Sequence, residues 1–587
     1  MNEFSPGLHL LLVIAAPLVG ALAAWLFGSR GIGAVRQSAA VTAVVTLLLA
    51  GWLILRALGD PGFLAGRPFA TVSLPWLVES PFDVRFSLGL DGLSLWMFGL
   101  AALLSLTAVL VSWEAVTDRV VGFYVLLLVL EAAMLGVFAA RDVILFYVCF
   151  EFTLVPLFFL IGIWGHEERR RAAVKFFVYT LAGSVLTFLG LLAIVLWAAS
   201  HTGTISFDIA SLTAVLRQHP LPMTAASGWL QMTVFLSLLA GFAVKVPIVP
   251  LHTWLPLAHV EAPTGGSVDL AGVLLKIGIY GFLRFSLPML PEATAAAAPW
   301  LFGLGVVGIL YGGLVALVQT DLKRLIAYSS VSHMGYIVMG LFALTPVAVE
   351  GANLQLVNHG LSAAGLFALV GMIYERFHTR SIANLGGIAS RAPWLTVLFM
   401  LFTFSSIGLP GLNGFVGEFM ILAGSFQRAW SGVAPAYGTA YLVMALAAVS
   451  GVVLGAWYML WAVERVFFGP SREPPRAGGH GHDAGGHSHA DQVHADHGHG
   501  HHAHGHGHAG HGHAGHGPQA ADRCDLRWYE FAALLPLAVF VVWIGLTPAT
   551  FLAPAAPTLK AATQASAAAF AARMQAPTPS DQVARAQ

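Results

Sequence analysis

The sequence predicts an all-α polytopic membrane protein with about fourteen transmembrane helices, and three observations predict it. Of its 587 residues, 57% are hydrophobic and only 10% charged, whereas a soluble domain carries about a quarter charged residues. Its mean hydropathy is +0.77. Apolar runs of the ~20 residues needed to cross ~30 Å of hydrocarbon recur from one end of the chain to the other. A net charge of +0 argues against nucleic acid as a partner, which calls for a basic face. The two cysteines, Cys149 and Cys524, lie far apart without a CxxC. They encode neither a disulfide framework nor an iron–sulfur site, so any redox centre belongs to another chain.

The runs fall near 8–28, 37–57, 90–113, 120–140, 142–164, 173–199, 229–255, 268–287, 300–319, 324–344, 357–374, 394–426, 437–463 and 528–551. The first follows MNEFSPG, which has Glu3 and no basic residue, so it reads as a retained helix and not as a cleavable signal peptide. Crossings one to three occupy 1–113, crossings four to eight 120–290 and crossings nine to thirteen 300–468. A polar segment, 470–525, separates them from crossing fourteen at 528–551 and an Ala-rich tail at 552–587. With the N-terminus outside, the odd-numbered loops hold Arg30, Arg36, Arg119, Arg169, Arg170, Arg171, Lys323 and Arg324 among others, and the even ones only Arg56, Arg67, Arg85, Arg141, Arg217, Arg284 and Arg428. The positive-inside rule then places both termini outside.

Two runs are interrupted. KVPIVPLHTWLP at 245–256 and SIGLPGLNGFVGE at 406–418 carry Pro and Gly inside hydrophobic spans, as in the discontinuous helices of transporters. They lie five crossings apart. Crossings four to eight and nine to thirteen therefore read as two five-helix repeats, and because five is odd the repeats are inverted, each offering one broken helix to a shared midplane. GxGxxG at Gly303, Gly305 and Gly308 follows no strand and reads as close helix packing, helped by the GxxxG spacing of Gly308 and Gly312.

Charge inside these spans points to ion movement. A lysine at the centre of a bilayer helix costs roughly 2.5–3.5 kcal/mol, and 245–284 carries two, Lys245 and Lys276. Glu131 in crossing four, Glu151 in five, Lys245 at the break of seven, Lys276 in eight, His333 in ten, His359 in eleven and Glu418 at the break of twelve form a candidate path for proton transfer. At ~4 Å and an effective dielectric of about 20, a unit-charge pair such as Glu151–Lys245 interacts by roughly 4 kcal/mol. The separation of the two therefore sets how tightly Lys245 holds its proton. Each group also has a plainer reading. The lysines can snorkel, Glu131 can serve structure alone, Glu418 can satisfy freed backbone, and the two histidines can be polar packing. Asp91, at the mouth of crossing three, reads as an N-terminal cap.

FEFTLVPLFFLIGIWG at 150–165, RAAVKFFVYTLAGS at 171–184, KVPIVPLHTWLP at 245–256, TDLKRLIAYSSVSHMGYI at 320–337, VNHGLSAAGLF at 357–367 and FSSIGLPGLNGFVGEF at 404–419 stand in one order. Together they closely resemble the antiporter-like membrane subunits of proton-pumping NADH:quinone oxidoreductase, respiratory complex I. The resemblance covers about 90–470 and implies that family's inverted-repeat fold. It also implies a polar chain along the middle of the membrane, with Glu151 and Lys245 as its ion pair, Lys276 as central proton carrier and Glu418 as terminal exit carboxylate. The chain would be a non-redox, proton-translocating subunit with no cofactor of its own. Other membrane and peripheral subunits of complex I are the expected partners, with flavin and iron–sulfur centres in the peripheral arm, and the bacterial inner membrane is the expected location. Glu418 points to the subunit M branch, because sister subunits and most sodium/proton antiporter relatives carry lysine there. The other readings are a subunit of a multisubunit Na⁺/H⁺ antiporter or of a related membrane hydrogenase or inorganic-carbon uptake complex, and a metal-ion transporter.

Two departures stand out. The family usually has aspartate directly after HTWLP, where this chain has Leu257, and an aliphatic residue where it has Asp269. Asp269 is expected to take over the missing charge, near His259 or Glu261. The low-complexity stretch 479–517 is dense in histidine, including His480, His482, His499, His501, His504 and His506. It cannot bury a core, so it reads as a disordered cytoplasmic loop, able to bind Zn²⁺, Ni²⁺ or Cu²⁺ loosely but with no fixed tetrahedral ligand set. Deleting 479–517 should leave assembly of the complex and its electron-transfer turnover nearly intact; loss of most turnover in metal-replete medium would contradict this reading.

Overall fold

A computed structural model describes residues 5–223, 228–431, 435–472 and 525–575. The histidine-rich segment, with His480, His482, His499, His501, His504 and His506, lies outside the described residues, as does Cys524. In chain order the helices are α1 (Pro6–Leu26), α2 (Ile32–Leu58), α3 (Leu95–Val111), α4 (Val120–Ala139), α5 (Val143–Trp164) and α6 (Arg169–Thr202). There follow α7 (Ile209–Gln218), α8 (Leu230–Lys245), α9 (Trp254–Glu261), α10 (Thr264–Met289), α11 (Pro291–Leu317), α12 (Leu322–Phe342) and α13 (Pro346–Phe377). The last five are α14 (Pro393–Ser406), α15 (Asn413–Trp430), α16 (Pro435–Val463), α17 (Trp528–Leu546) and α18 (Ala556–Gln575). Among the described residues, 11 helices are long and apolar enough to cross a membrane. The fourteen predicted crossings are thus not all of spanning length. Leu95–Val111, Leu230–Lys245 and Pro393–Ser406 are shorter, and the latter two end where a broken helix is interrupted.

The connection between α2 and α3 is a β-hairpin, β1 (Phe69–Glu79) with β2 (Phe82–Leu90), to which β3 (Ile205–Ser206) adds a short parallel pairing. The helical reading of the chain passed over it, although the β-branched and aromatic residues on either side of Ser80 and Pro81 are its signal. The Ala-rich tail is helical over Ala556–Gln575, as the high helix propensity of alanine favours. It packs back on the bundle, with Ser566 Oγ donating to the Leu287 carbonyl (2.6 Å) and the Arg428 guanidinium 4.5 Å from the Phe570 ring.

Each break leaves backbone groups that hydrocarbon cannot satisfy. Pro247 and Pro250 supply no N–H, and α8 stops at Lys245. The Trp254 indole then donates to the Val244 carbonyl (2.8 Å), and Lys175 Nζ from α6 donates to the Thr253 carbonyl (3.0 Å). In the second break Gly408 (φ 74°) and Gly411 (φ 91°) adopt left-handed conformations that favour glycine. Asn358 Nδ2 donates to the Asn413 carbonyl (2.8 Å), and Asn413 Oδ1 accepts from Gly414 N (2.9 Å) and Ser405 Oγ (2.5 Å).

The GxGxxG run is a packing surface. A Cβ on Gly305 would lie 2.7 Å from Met339 N and 2.8 Å from the Gly335 carbonyl oxygen, so α11 and α12 touch through their backbones. At Gly303 the nearest atom is Met444 Sδ at 3.5 Å, an ordinary contact. Gly305→Ala should therefore destabilise the protein by about 1–3 kcal/mol, while Gly303→Ala should be neutral or slightly stabilising. Reversible unfolding of the two variants in mixed micelles checks the difference, and equal effects would contradict backbone contact at Gly305.

Candidate functional site

The polar groups of the interior form a row from the first break to the second. At the first, Lys245 is the last residue of α8 and is 2% exposed. Its ammonium stands 4.5 Å from the centre of the Phe150 ring and has no hydrogen-bond partner. Glu151, the next residue on α5, acts on Lys245 through space, and its Oε1 is buried without a partner. The two charges do not meet within 4.0 Å, and Lys245 lies over an aromatic face that offsets part of its desolvation. Their coupling falls below the value for contact.

Lys276 sits in α10 between two π-helical turns, Leu270–Leu274 and Phe282–Ser286. Such turns widen the helix and change the partners of its carbonyls. Its ammonium, fully buried, donates to the Ala271 carbonyl and to His359 Nδ1 on α13 (2.8 Å). Two residues on, a Cβ at Gly278 would lie 3.1 Å from Lys245 Cβ and 2.7 Å from the Phe242 carbonyl oxygen. Glycine there lets the end of α8 lie directly on α10, bringing the two lysine-bearing segments together.

From His359 the row runs on to the second break. The His359 and His333 ring centres are 5.5 Å apart. His333, on α12, has Nδ1 2.9 Å from Glu418 Oε1 and Nε2 3.0 Å from Ser406 Oγ. Gln355 Nε2 donates to the same Glu418 oxygen (3.3 Å). Asn358, Ser362, Ser405 and Asn413 continue the hydrogen-bonded cluster beneath it, with a 2.5 Å hydrogen bond between the Ser362 and Ser405 hydroxyls. Sequence reasoning passed over these neutral residues, since a Ser or Asn in an apolar run has no charge to draw notice.

Glu131, on α4, is fully buried with no partner for either carboxylate oxygen, and so is Asp269. The Asp269 charge bears on Glu131. This redirects the expectation that placed Asp269 with His259 or Glu261. His259 instead lies in the fields of Lys323 and Lys276, stacked on Phe367 at 4.4 Å and 7°, with both ring nitrogens unpartnered. Glu261 accepts from Glu168 N (2.9 Å).

Lys323 was read from sequence as a loop charge. It is 3% exposed and donates to the Ala262 carbonyl (2.6 Å). Beside it, in the loop between α5 and α6, burial together with the charges of Lys323 and Arg380 lowers the His166 imidazole to about 4. Asp91 does cap the turn into α3, its Oδ1 accepting from Leu93 N (3.1 Å) and Ser94 N (3.2 Å). It also holds Arg284 bidentately at 2.5 and 2.9 Å, a second role unseen in the sequence. Among the described residues no group of three or more His, Cys, Asp or Glu is arranged to hold a metal ion.

The family described as NADH:quinone oxidoreductase/Mrp antiporter, TM, matches residues 140–459. NADH-quinone oxidoreductase subunit M of Pseudomonas aeruginosa is 40% identical over 472 residues, 78% of this chain and 88% of that one. The subunit M of Rhodobacter capsulatus is 44% identical over 470 residues, 78% and 86% of the two chains. A chain in the structure of respiratory complex I from Thermus thermophilus with bound NADH aligns with a TM-score of 0.75 at 30% identity, covering 95% of this chain and 99% of its own. With a family match over more than half its length and relatives at this identity and coverage, the chain belongs to the NADH:quinone oxidoreductase subunit M family of antiporter-like membrane proteins.

Proposed function

We propose that this chain is a proton-translocating membrane-arm subunit of an NADH:quinone oxidoreductase, carrying protons while electron transfer takes place in partner subunits that hold flavin and iron–sulfur centres. The observation that carries the reading is the buried row Lys276–His359–His333–Glu418, in which successive groups lie 2.8 Å, one 5.5 Å ring spacing and 2.9 Å apart. Every member can bind and release a proton. In this reading Glu151 tunes Lys245, Lys245 passes a proton to Lys276, and His359 and His333 hand it to Glu418. Glu418 releases it on the far side. Glu131, coupled to Asp269 of α10, is a further group able to take up and release a proton. Each charge moved across works against roughly 2.3 kcal/mol per 100 mV, so a small change in the Glu151–Lys245 interaction is enough to set direction.

In this reading 120–290 and 300–468 are two inverted repeats, each with one broken helix, and α8 ends at Lys245 and α14 at Ser406. The bacterial inner membrane, with both termini on the outer side, is the location this reading carries. A second reading, a subunit of a multisubunit Na⁺/H⁺ antiporter, draws on the family's shared description with the Mrp antiporter. Isolation of the intact complex in mild detergent separates the two. Copurification with a peripheral arm that oxidises NADH supports the first, and a complex of membrane subunits alone supports the second.

At matched levels of assembled complex, Glu151→Ala and Lys276→Ala should each lower proton pumping, and NADH:quinone turnover with it, by at least about tenfold, in line with the loss of a positioned proton-transfer group. Unimpaired pumping in either variant sinks the path.

Glu418 tests its exit end. Glu418→Lys should retain partial pumping, since an amine can also take up and release a proton, while Glu418→Gln should lose far more. If Gln supports pumping as well as Glu, the residue only holds hydrogen bonds to His333 and Gln355, and the exit lies elsewhere.

A further inference from the structure

Three arginines converge on a cavity apart from the polar row. Arg141, in the turn between α4 and α5, Arg217 on α7 and Arg284 near the end of α10 line a space of about 270 Å³ with Asp91. Thr558 and Ala561 of α18 close one side of it. The α4–α5 turn, α7, the end of α10 and α18 all follow the C-terminal ends of membrane-crossing segments. The cavity therefore lies at the edge of the hydrocarbon on one side of the membrane. Helix α7 is amphipathic, burying Ile209, Leu212 and Leu216, as a helix lying in the interfacial plane does.

The charges in this cavity do not cancel. Arg284 has four of its five donors committed, two on Asp91 and two on the Tyr280 hydroxyl at 3.2 and 2.7 Å. Arg217 spends one amino group on the Ala561 carbonyl (3.1 Å). Arg141 reaches Asp91 only through space, and among the described residues its guanidinium makes neither hydrogen bond nor ion pair. Thr558 Oγ1 is likewise buried without a partner. A guanidinium with all its donors free, a second partly free and an idle hydroxyl converge on one cavity beside the apolar wall of Ile209, Leu283 and Pro288. Guanidinium forks match the oxygens of a phosphate bidentately, and basic pockets between transmembrane helices recognise anionic headgroups.

We propose that this cavity binds the phosphodiester headgroup of an anionic phospholipid, with Arg141 and Arg217 on the phosphate oxygens, Thr558 as a further donor and the glycerol ester region against Ile209, Leu283 and Pro288. A lipid is favoured over a free anion because half-apolar walls meet the charges at the depth where lipid phosphates stand. The bound headgroup would tie α18 to α7 and to the α4–α5 turn.

The test uses the assembled, delipidated complex in detergent doped with phosphatidylglycerol, with phosphatidylcholine or with inorganic phosphate, read by native mass spectrometry. Wild type should retain one more phosphatidylglycerol per copy of this chain than Arg141→Gln, and the Arg141→Gln/Arg217→Gln double variant should bind at least about tenfold more weakly, the loss of charge-assisted hydrogen bonds. Arg141→Gln removes no hydrogen bond, so folding is preserved; Arg141→Lys should rescue in part, and Arg85→Gln, outside the cavity, should change nothing. Equal lipid retention by wild type and the double variant overturns the site. Retention of inorganic phosphate without phosphatidylglycerol, or an acidic side chain of a neighbouring subunit seated in the cavity of the assembled complex, overturns the assignment to a lipid.

Discussion

The ammonium of Lys276 lies where hydrocarbon supplies no hydrogen-bond partner, and much of the architecture around it answers that constraint. A fully buried cation must find its acceptors within the protein. One is the Ala271 carbonyl beside a π-helical turn, and the other is His359 of α13. Placing His359 at 2.8 Å requires α13 to pack closely on α10, and small residues permit it: a Cβ on Gly360 would come 2.9 Å from the Gly272 carbonyl oxygen. The same economy holds α11 on α12, the helix that carries His333, through Gly305 and Gly335. Backbone contact between helices, not apolar bulk, is what keeps the row in register.

The two helix breaks meet one physical demand in different ways. At the first, the orphan carbonyls of Val244 and Thr253 are taken by the Trp254 indole and the Lys175 ammonium, so the chain's own side chains close the backbone and Lys245 is left without a fixed partner. At the second, Asn413, Asn358, Ser405 and Ser362 form a clamp, and Glu418 is held by His333 and Gln355. The row is therefore asymmetric, loosely held at Lys245 and tightly held at Glu418.

The moved carboxylate shows how a local substitution becomes a three-dimensional one. Leu257 and Asp269 are separated by a loop and one turn of sequence, yet the Asp269 charge bears on Glu131 of another helix, and neither Asp269 oxygen has a hydrogen-bond partner. Two buried carboxylates without partners cannot both carry charge cheaply. Asp269 lies on α10 itself, about two helical turns before Lys276. On the other flank, His259 joins the fields of Lys276 and Lys323, so the row has polar branches toward both sides of α10.

The sequence by itself determined the class, the helical runs, both breaks and every charged member of the row. Those features are set by composition and by Pro and Gly within apolar segments, and a bilayer enforces them without reference to neighbours. Lys276, His333, His359 and Glu418 were legible because a titratable residue at membrane depth is costly wherever it sits. Only the tertiary structure decided their partners. That Lys245 lies over the Phe150 ring, that Lys276 binds His359, that the Asp269 charge bears on Glu131, and that Lys323 is buried and not a loop charge all depend on which helix faces which. So do the β-hairpin at Phe69–Leu90 and the docking of the Ala-rich helix. The physical reason is range. Hydropathy and backbone chemistry act within one segment, whereas hydrogen bonds and charge pairs form only between groups a few ångströms apart, and here those groups lie 83 and 85 residues apart in sequence, as in Lys276–His359 and His333–Glu418.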